Sequence, residues 1–297
     1  MDLHIHSNYS DGVKSPIDIL KMAQKLNLEY ISITDHNNCF AYEALEKEDI
    51  KNYYNGNLIT GVEILTCFDG VYIEILGYGV DYRIINSWNR EYYSKEQIDK
   101  RESMIFNKIK NNIQFNSSIK ISSNLELPSL IPYSGFYKYK LYTDILKYEE
   151  NKKFLQEYNI NTYEQFLMRG LYPKNSPLYV NPEEYLIKAK EVIDLIHKAN
   201  GLAFLAHLYK YKVDNHMSFS QKMIDDKIGL DGIEANYSAF TKKEEENIIE
   251  FAKKNNLYLS GGSDYHGIEN RNEIIGYGTE NNPIPKQYIN KWYNVIK

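Results

Sequence analysis

The chain of 297 residues has only two cysteines, Cys39 and Cys67. That is too few for a disulfide framework and suits a reducing compartment. No apolar run is long enough to span a bilayer, and the N-terminus shows no basic segment followed by an apolar one. The sequence contains no internal repeat and no low-complexity linker. Positive charge is not in excess either: the formal balance is −5 at pH 7. This argues against a broad electrostatic grip on nucleic acid, though not against a local basic patch. Together these absences predict a soluble, cytoplasmic protein with no membrane association and no obligate protein partner. The 43% hydrophobic content supports one large α/β domain or two smaller ones. The 28 tyrosines, with abundant Asn, Lys and Ile, read more as AT-rich codon usage than as a functional signal.

The informative feature lies in the first dozen residues. Asp2-Leu3-His4-Ile5-His6-Ser7 places two histidines one residue apart, and Asn8-Tyr9-Ser10-Asp11-Gly12 follows. On a strand, residues two apart face the same side, roughly 7 Å from each other, so both imidazoles can converge on one cation. A lone His-x-His is more often structural, but four later segments deliver ligand-type residues after a short apolar run. Ile31 to Thr34 leads into Asp35-His36, and Leu58 to Val62 into Glu63. Leu202 to Ala206 leads into His207, and Leu257 to Leu259 runs through Ser260-Gly261-Gly262-Ser263 into Asp264-Tyr265-His266. Each run has the length and composition of a buried strand. Parallel strands of a barrel carry their chemistry at their C-terminal ends, so these residues are expected to meet in one mouth.

Further elements follow from local signals. Ser15-Pro16 reads as N-cap and first helical position, 41–54 as a second helix, and Val71 to Tyr78 as another strand. From 96 to 181 the pattern changes to helical windows at 96–113, 142–158 and 162–168 without a clear buried strand. This stretch carries 12 Lys/Arg against 9 Asp/Glu, which makes it mildly basic in an acidic chain. It reads as an inserted helical lid subdomain, with 1–95 and 182–297 forming the barrel. Pro182 is expected to start a helix running to Ala199, with Gly201 as its left-handed cap. Thr241 and Glu244 predict a capping box.

Taken together, His4-Ile5-His6-Ser7 with Ser10-Asp11-Gly12, Thr34-Asp35-His36, Gly61-Val62-Glu63, Leu205-Ala206-His207 and Gly262-Ser263-Asp264-Tyr265-His266 resemble the PHP (polymerase and histidinol phosphatase) family of metal-dependent phosphoesterases. The likeness is to the stand-alone branch with nucleotide phosphatases and a 5′-3′ exoribonuclease. The resemblance implies an α/β fold, a distorted (β/α)7 barrel with an inserted, mainly helical subdomain. It also implies two or three divalent ions: His4, His6, Glu63 and Asp264 around the first, Glu63 and His207 around the second, and Asp11, His36 and His266 around the third. Such a nitrogen and oxygen set suits Mn²⁺, Fe²⁺ or Zn²⁺. The family often has a histidine eleven residues after the bridging glutamate, where this chain has Glu74. A carboxylate there can still ligate, and three divalent ions would keep the cluster positive against four ionised acids.

The chemistry implied is hydrolysis of a phosphate ester by a metal-bound hydroxide. Asp35 or Asp264 would orient histidines or take a proton, and His207 or His266 would be a general acid if not metal-bound. Arg101, Arg169 and Lys174 of the insert are the candidate phosphate-binding cations, with an ordinary surface role for Arg101 equally open. The leading reading is hydrolysis of a small phosphomonoester, a nucleotide first. The alternatives are a 5′-3′ exonuclease acting on short RNA or DNA, and a non-catalytic metal-binding scaffold, to which only Glu74 points. His197 reads as a solvated or half-buried helical residue, His216 as part of a polar loop without a specific task, Cys39 as a small buried thiol, and Glu234 as a structural or supporting carboxylate.

Overall fold

Seven strands organise the larger part of the chain: β1 (Asp2–Ile5), β2 (Tyr30–Ile33), β3 (Asn57–Phe68), β4 (Val71–Tyr78), β5 (Leu202–Leu205), β6 (Gly232–Tyr237) and β7 (Tyr258–Gly262). They are seen in a computed structural model that describes residues 1–116, 118–269 and 271–296. The strands pair in chain order. β1 to β3 run parallel, β4 is antiparallel to both β3 and β5, and β5 to β7 are parallel again. The segment after β7 returns to β1: Asp264 N donates to His4 O and His6 N to Tyr265 O, each at 2.9 Å. The result is a nearly closed seven-stranded α/β barrel, as expected, with β4 reversed. The reversal follows from Asp69 (φ 51°) and Gly70 (φ 70°), a left-handed pair that joins β3 to β4 as a tight hairpin and leaves no room for a parallel crossover.

Strand periodicity divides the side chains between two faces. Val62 and Ile64 of β3, Ile73 and Ile75 of β4, Ala203 and Leu205 of β5 and Ile233 and Ala235 of β6 pack with Ile19, Leu20, Val192, Ile193, Ile196 and Ile248 of the flanking helices. Ile59, Leu76, Tyr78 and Phe204 belong to a separate cluster with Trp292. There Trp292 stacks on Tyr78 at 5.3 Å and its indole N–H donates to Leu259 O at 2.9 Å. Burying such aromatics stabilises by about 1.5–3 kcal/mol each. Glu63, Glu74 and Glu234 alternate with the helix-facing residues on the same strands, so their carboxylates share the face that this apolar cluster occupies elsewhere.

The helix Pro16–Lys25 begins as expected, with Ser15 Oγ accepting from Asp18 N. The capping box of Lys242–Asn255 is present, with Thr241 N donating to Glu244 at 2.7 Å. Other expectations need correcting. The segment 41–54 forms only Phe40–Leu45 and a 3-10 turn, Ile50–Asn52. Pro182 starts the 3-10 turn Pro182–Glu184, and the helix begins later, at Ala189–Lys198, because Tyr185 leaves helical geometry at φ −144°. The left-handed residue after that helix is Asn200 (φ 62°). Gly201 is needed for close approach: a Cβ there would lie 2.9 Å from Tyr78 O and closer still to Val80.

Contacts divide the residues into two units, Met1–Asn89 with Ile187–Lys297, and Arg90–Leu186. The second has its own core, in which Ile105, Phe106, Ile109 and Ile113 of the helix Lys95–Asn116 meet Leu141, Ile145, Phe154, Phe166 and Leu178. Its described residues form helices and turns only. The window at 96–113 extends to Lys95–Asn116, that at 142–158 is divided between Phe136–Ile145 and Lys152–Glu157, and that at 162–168 is Tyr163–Gln165 running into the π-helical Phe166–Leu171.

Candidate metal centre

Every strand except β6 brings a candidate ligand to one place. β1 carries His4 and ends before His6, His36 follows β2, β3 carries Glu63 and β4 Glu74. His207 follows β5, while Asp264 and His266 follow β7. A Cβ on Gly262 would collide with His4, so the glycine lets β7 approach β1 closely enough to unite the two ligand segments. Asp264 itself sits at φ 57°, a left-handed conformation that costs a non-glycine residue on the order of 1 kcal/mol.

Glu63 is the hub. Its Oε1 lies 3.2 Å from His4 Nε2 and 2.9 Å from His207 Nε2, and its Oε2 3.3 Å from His6 Nε2 and 3.2 Å from His36 Nδ1. Asp264 Oδ1 stands 3.4 Å from His4 Nε2 and 3.1 Å from His6 Nε2. Asp11 Oδ1 stands 3.6 Å from His36 Nε2 and 3.2 Å from His266 Nε2. Glu74 approaches His207 Nε2 at 3.1 Å and His36 Nδ1 at 3.6 Å. Three groups have ligand atoms all within 4.8 Å of one another: His4, His6, Glu63 and Asp264; His6, Asp11, His36 and His266; and His36, Glu63 and Glu74. Glu63 thus borders two groups, and His36 joins Glu74 where the resemblance implied only Glu63 and His207.

These residues fit divalent ions. His4 Nε2 and His6 Nε2 are buried and have no hydrogen-bond partner among the described residues, a deficit that folded proteins rarely tolerate without a function. Both nitrogens point at carboxylate oxygens 3.1–3.4 Å away. Ligand atoms bound at about 2.1 Å to one ion stand roughly 3 Å apart. The charges fit as well. Burial alone would lower the histidines, yet the facing carboxylates outweigh it: His6 and His207 rise to about 9, and His4 and His36 rise too. Burial pushes Glu63 and Asp264 up, but the imidazoles hold both well below the ordinary carboxylate range.

A surrounding layer fixes the orientation. Glu234, fully buried on β6, accepts from His207 N at 2.8 Å and meets His4 Nδ1 at 3.0 Å. It leaves His4 Nε2 for the cluster, as carboxylates behind ligand histidines do. Asp35 accepts from Ser7 N, Ser7 Oγ and Ser10 Oγ at 2.6–2.7 Å. Its carboxylate therefore anchors the loop after β1, and it reaches His6 Nδ1 only through Ser10. That placement favours orientation over proton transfer. Tyr237 OH donates to Asp264 Oδ2 at 2.7 Å, and Lys210 Nζ lies 3.2 Å from the same oxygen. The sequence pattern gave no signal for Tyr237 or Lys210.

The cations expected to hold phosphate lie in the second unit. The Arg101 guanidinium donates to Tyr92 O at 2.8 Å and packs over the Tyr92 ring at 4.2 Å. Arg169 is exposed and donates to Asn159 O at 2.9 Å. Lys174 lies in an exposed turn after Phe166–Leu171. His197 pairs with Asp231 at 2.7 Å. His216 opens the helix His216–Asp225 rather than lying in a loop, and its Nε2 meets Tyr211 O at 3.0 Å. The buried Cys39 thiol donates to Gly61 O at 3.2 Å. Among the described residues, no helix is long and apolar enough to cross a membrane.

Comparison with known proteins bears on the family and the fold. The model of the PHP domain family matches residues 2–260. The chain is 24% identical over 273 residues to the 5′-3′ exoribonuclease Rnm of Escherichia coli K12, covering 89% of this chain and 84% of that protein. It is 23% identical over 281 residues to a phosphoribosyl 1,2-cyclic phosphate 1,2-diphosphodiesterase of Eggerthella lenta, covering 93% and 97%. A crystal structure from Bifidobacterium adolescentis, assigned as a metal-dependent phosphoesterase, superposes with a TM-score of 0.60 at 18% identity, covering 99% of this chain and 95% of that one. At that identity the likeness concerns the fold.

Proposed function

The chain belongs to the PHP domain family, and from that premise we propose that it is a metal-dependent hydrolase of phosphate esters acting on a small phosphomonoester, a nucleotide first. The observation that carries this reading is the meeting of five histidines with Asp11, Glu63, Glu74 and Asp264, with the buried His4 Nε2, His6 Nε2 and His207 Nδ1 left without a hydrogen-bond partner among the described residues. Divalent ions held there, two or three in number, supply charge for phosphate oxygens and lower the pKa of a water molecule. Glu63 ties the ligand groups together. Glu234 fixes the ring of His4, and Asp35 fixes the loop that carries Asp11 through Ser7 and Ser10. Tyr237 holds Asp264 Oδ2, so that Oδ1 faces His4 and His6.

A second reading, trimming of short RNA from its 5′ end, is favoured by the likeness to the Escherichia coli exoribonuclease. The net charge of −5 favours small substrates, because affinity for a polyanion comes largely from many cationic contacts. The test is to load the purified protein with Mn²⁺ and offer it nucleotides, sugar phosphates and 5′-phosphorylated oligoribonucleotides at several salt concentrations. Orthophosphate released from mononucleotides with little salt dependence supports the first reading. Mononucleotides released from oligomers with a steep salt slope support the second. Retained metal without cleavage of any ester overturns both.

A further inference from the structure

Lys210 lies in Leu208-Tyr209-Lys210-Tyr211-Lys212, a segment whose pattern resembles an ordinary surface turn. The fold gives it a special position. The 3-10 turn Leu208–Lys210 starts directly after His207, and Lys210 N donates to His207 O at 2.9 Å. This tight turn brings the side chain back to the cluster, where Nζ stops 3.2 Å from Asp264 Oδ2. The two oxygens of Asp264 are thereby divided. Oδ1 faces His4, His6 and His266, whereas Oδ2 is shared by Tyr237 OH and the ammonium. The Tyr237 ring lies 5.4 Å from Nζ, close enough for a cation–π contact that restricts where the ammonium can go.

Exposure separates the members of this group. The Asp264 side chain is 7% exposed but that of Lys210 is 48% exposed. The ammonium therefore bridges a buried ligand residue and open solvent. It has three donors and no acceptor capacity, and Asp264 is its hydrogen-bond acceptor among the described residues. The remaining donors are available to an anion arriving from solvent at the ligand groups. A charge that only neutralised Asp264 would not need to be half exposed.

We propose that Lys210 binds the substrate's phosphate, donating to a non-bridging oxygen while Asp264 and Tyr237 hold the ammonium in place. The proposal rests on the phosphoester-hydrolase reading and assigns one of its anion-binding groups to the barrel itself. Its test uses the full chain loaded with Mn²⁺ and titrated with inorganic phosphate in a calorimeter, with metal content measured on the same samples. In Lys210→Gln, phosphate affinity is expected to fall about tenfold or more, the value of one lost charge-assisted hydrogen bond, at unchanged metal content. Lys210→Arg is expected to restore most of that affinity. Where an ester is cleaved, KM should rise more than kcat falls.

Three results overturn the proposal: unchanged phosphate affinity in Lys210→Gln, loss of bound metal in proportion to loss of phosphate, or no phosphate binding by the metal-loaded wild type. The second would mean that the lysine serves only to balance Asp264. Failure of the hydrolase reading looks different. The wild type would then bind both metal and phosphate yet cleave no ester, and calorimetry on the lysine variants would still decide the role of Lys210.

Discussion

The buried carboxylates of the helical unit and those at the barrel's ligand groups are satisfied differently. In the helical unit, Asp144 accepts from Ser122 N, Ser122 Oγ and Lys147 Nζ, each at 2.7 Å. Glu102 accepts from Gly135 N at 2.6 Å and Tyr137 N at 3.2 Å. Each acid is paired with nearby protein donors and has a structural task. In the barrel, Glu63 and Asp264 face His4 and His6, whose Nε2 atoms have no hydrogen-bond partner among the described residues, although Glu63 also meets His207 Nε2 and Asp264 accepts from Tyr237 OH. Like and unlike charges crowd there with only part of the pairing that a structural network needs. Buried polarity by itself therefore says little. The distinction lies in whether the protein satisfies it internally or leaves it for something that is not protein.

The largest effect that would break this contrast comes from Glu63→Gln. The substitution removes the charge that four imidazoles share. It should abolish tight metal uptake, measured by elemental analysis after gel filtration, and lower hydrolysis by about three orders of magnitude. It should also abolish the rise in melting temperature that Mn²⁺ gives the wild type, a rise worth about 2.7 kcal/mol at a hundred times Kd. If Glu63→Gln retains its metal, the hub assignment is wrong. Glu234→Gln should act more mildly. The ring of His4 loses a charged partner but keeps its place, so metal affinity should fall about 10–100-fold, read by competition with a chelator. No change would make Glu234 a purely structural residue. Asp144→Ala sharpens the contrast from the other side. Removing a buried acid that accepts three hydrogen bonds should destabilise the protein by about 3 kcal/mol in urea melts, with metal stoichiometry unaltered. A loss of bound metal in that variant would erase the division between the two kinds of carboxylate.

The grouping of His4, His6, His36, His207 and His266 with Glu63 and Asp264 is legible in the sequence because it depends on two local rules, whereas Asp11 enters only through the family resemblance. Residues two apart share a strand face, and apolar runs end where the barrel mouth begins. Glu74 is legible as a departure from a pattern, although its place in mid-strand requires the reversed hairpin at Asp69-Gly70. Tyr237 and Lys210 cannot be read in that way. Their meeting with Asp264 depends on the register of β6 against β7 and on a one-turn 3-10 element, neither of which leaves a periodic trace. Gly201 shows the same limit on a smaller scale. A glycine after a helix suggests a left-handed cap, but Asn200 takes that conformation and the glycine answers a tertiary contact with Tyr78 and Val80.

The smallest effect separates the two paired acids of the helical unit by the sign of their pH dependence. Burial pushes Asp144 up, but Lys147 and the Ser122 donors outweigh it and hold the carboxyl below its ordinary value. Its stabilising contribution is therefore complete above the ordinary carboxylate range and is lost as pH falls through the lowered value. Burial dominates for Glu102, and its two backbone donors do not compensate, so its carboxyl lies above the ordinary value. Its contribution is complete below the ordinary range and declines as pH rises through the raised value. The stability difference between wild type and Asp144→Asn, from urea melts, should thus shrink between pH 7 and pH 3. The difference between wild type and Glu102→Gln should instead be larger near pH 4 than at pH 7. Parallel slopes would mean that hydrogen bonding and burial do not compete as the two sites suggest.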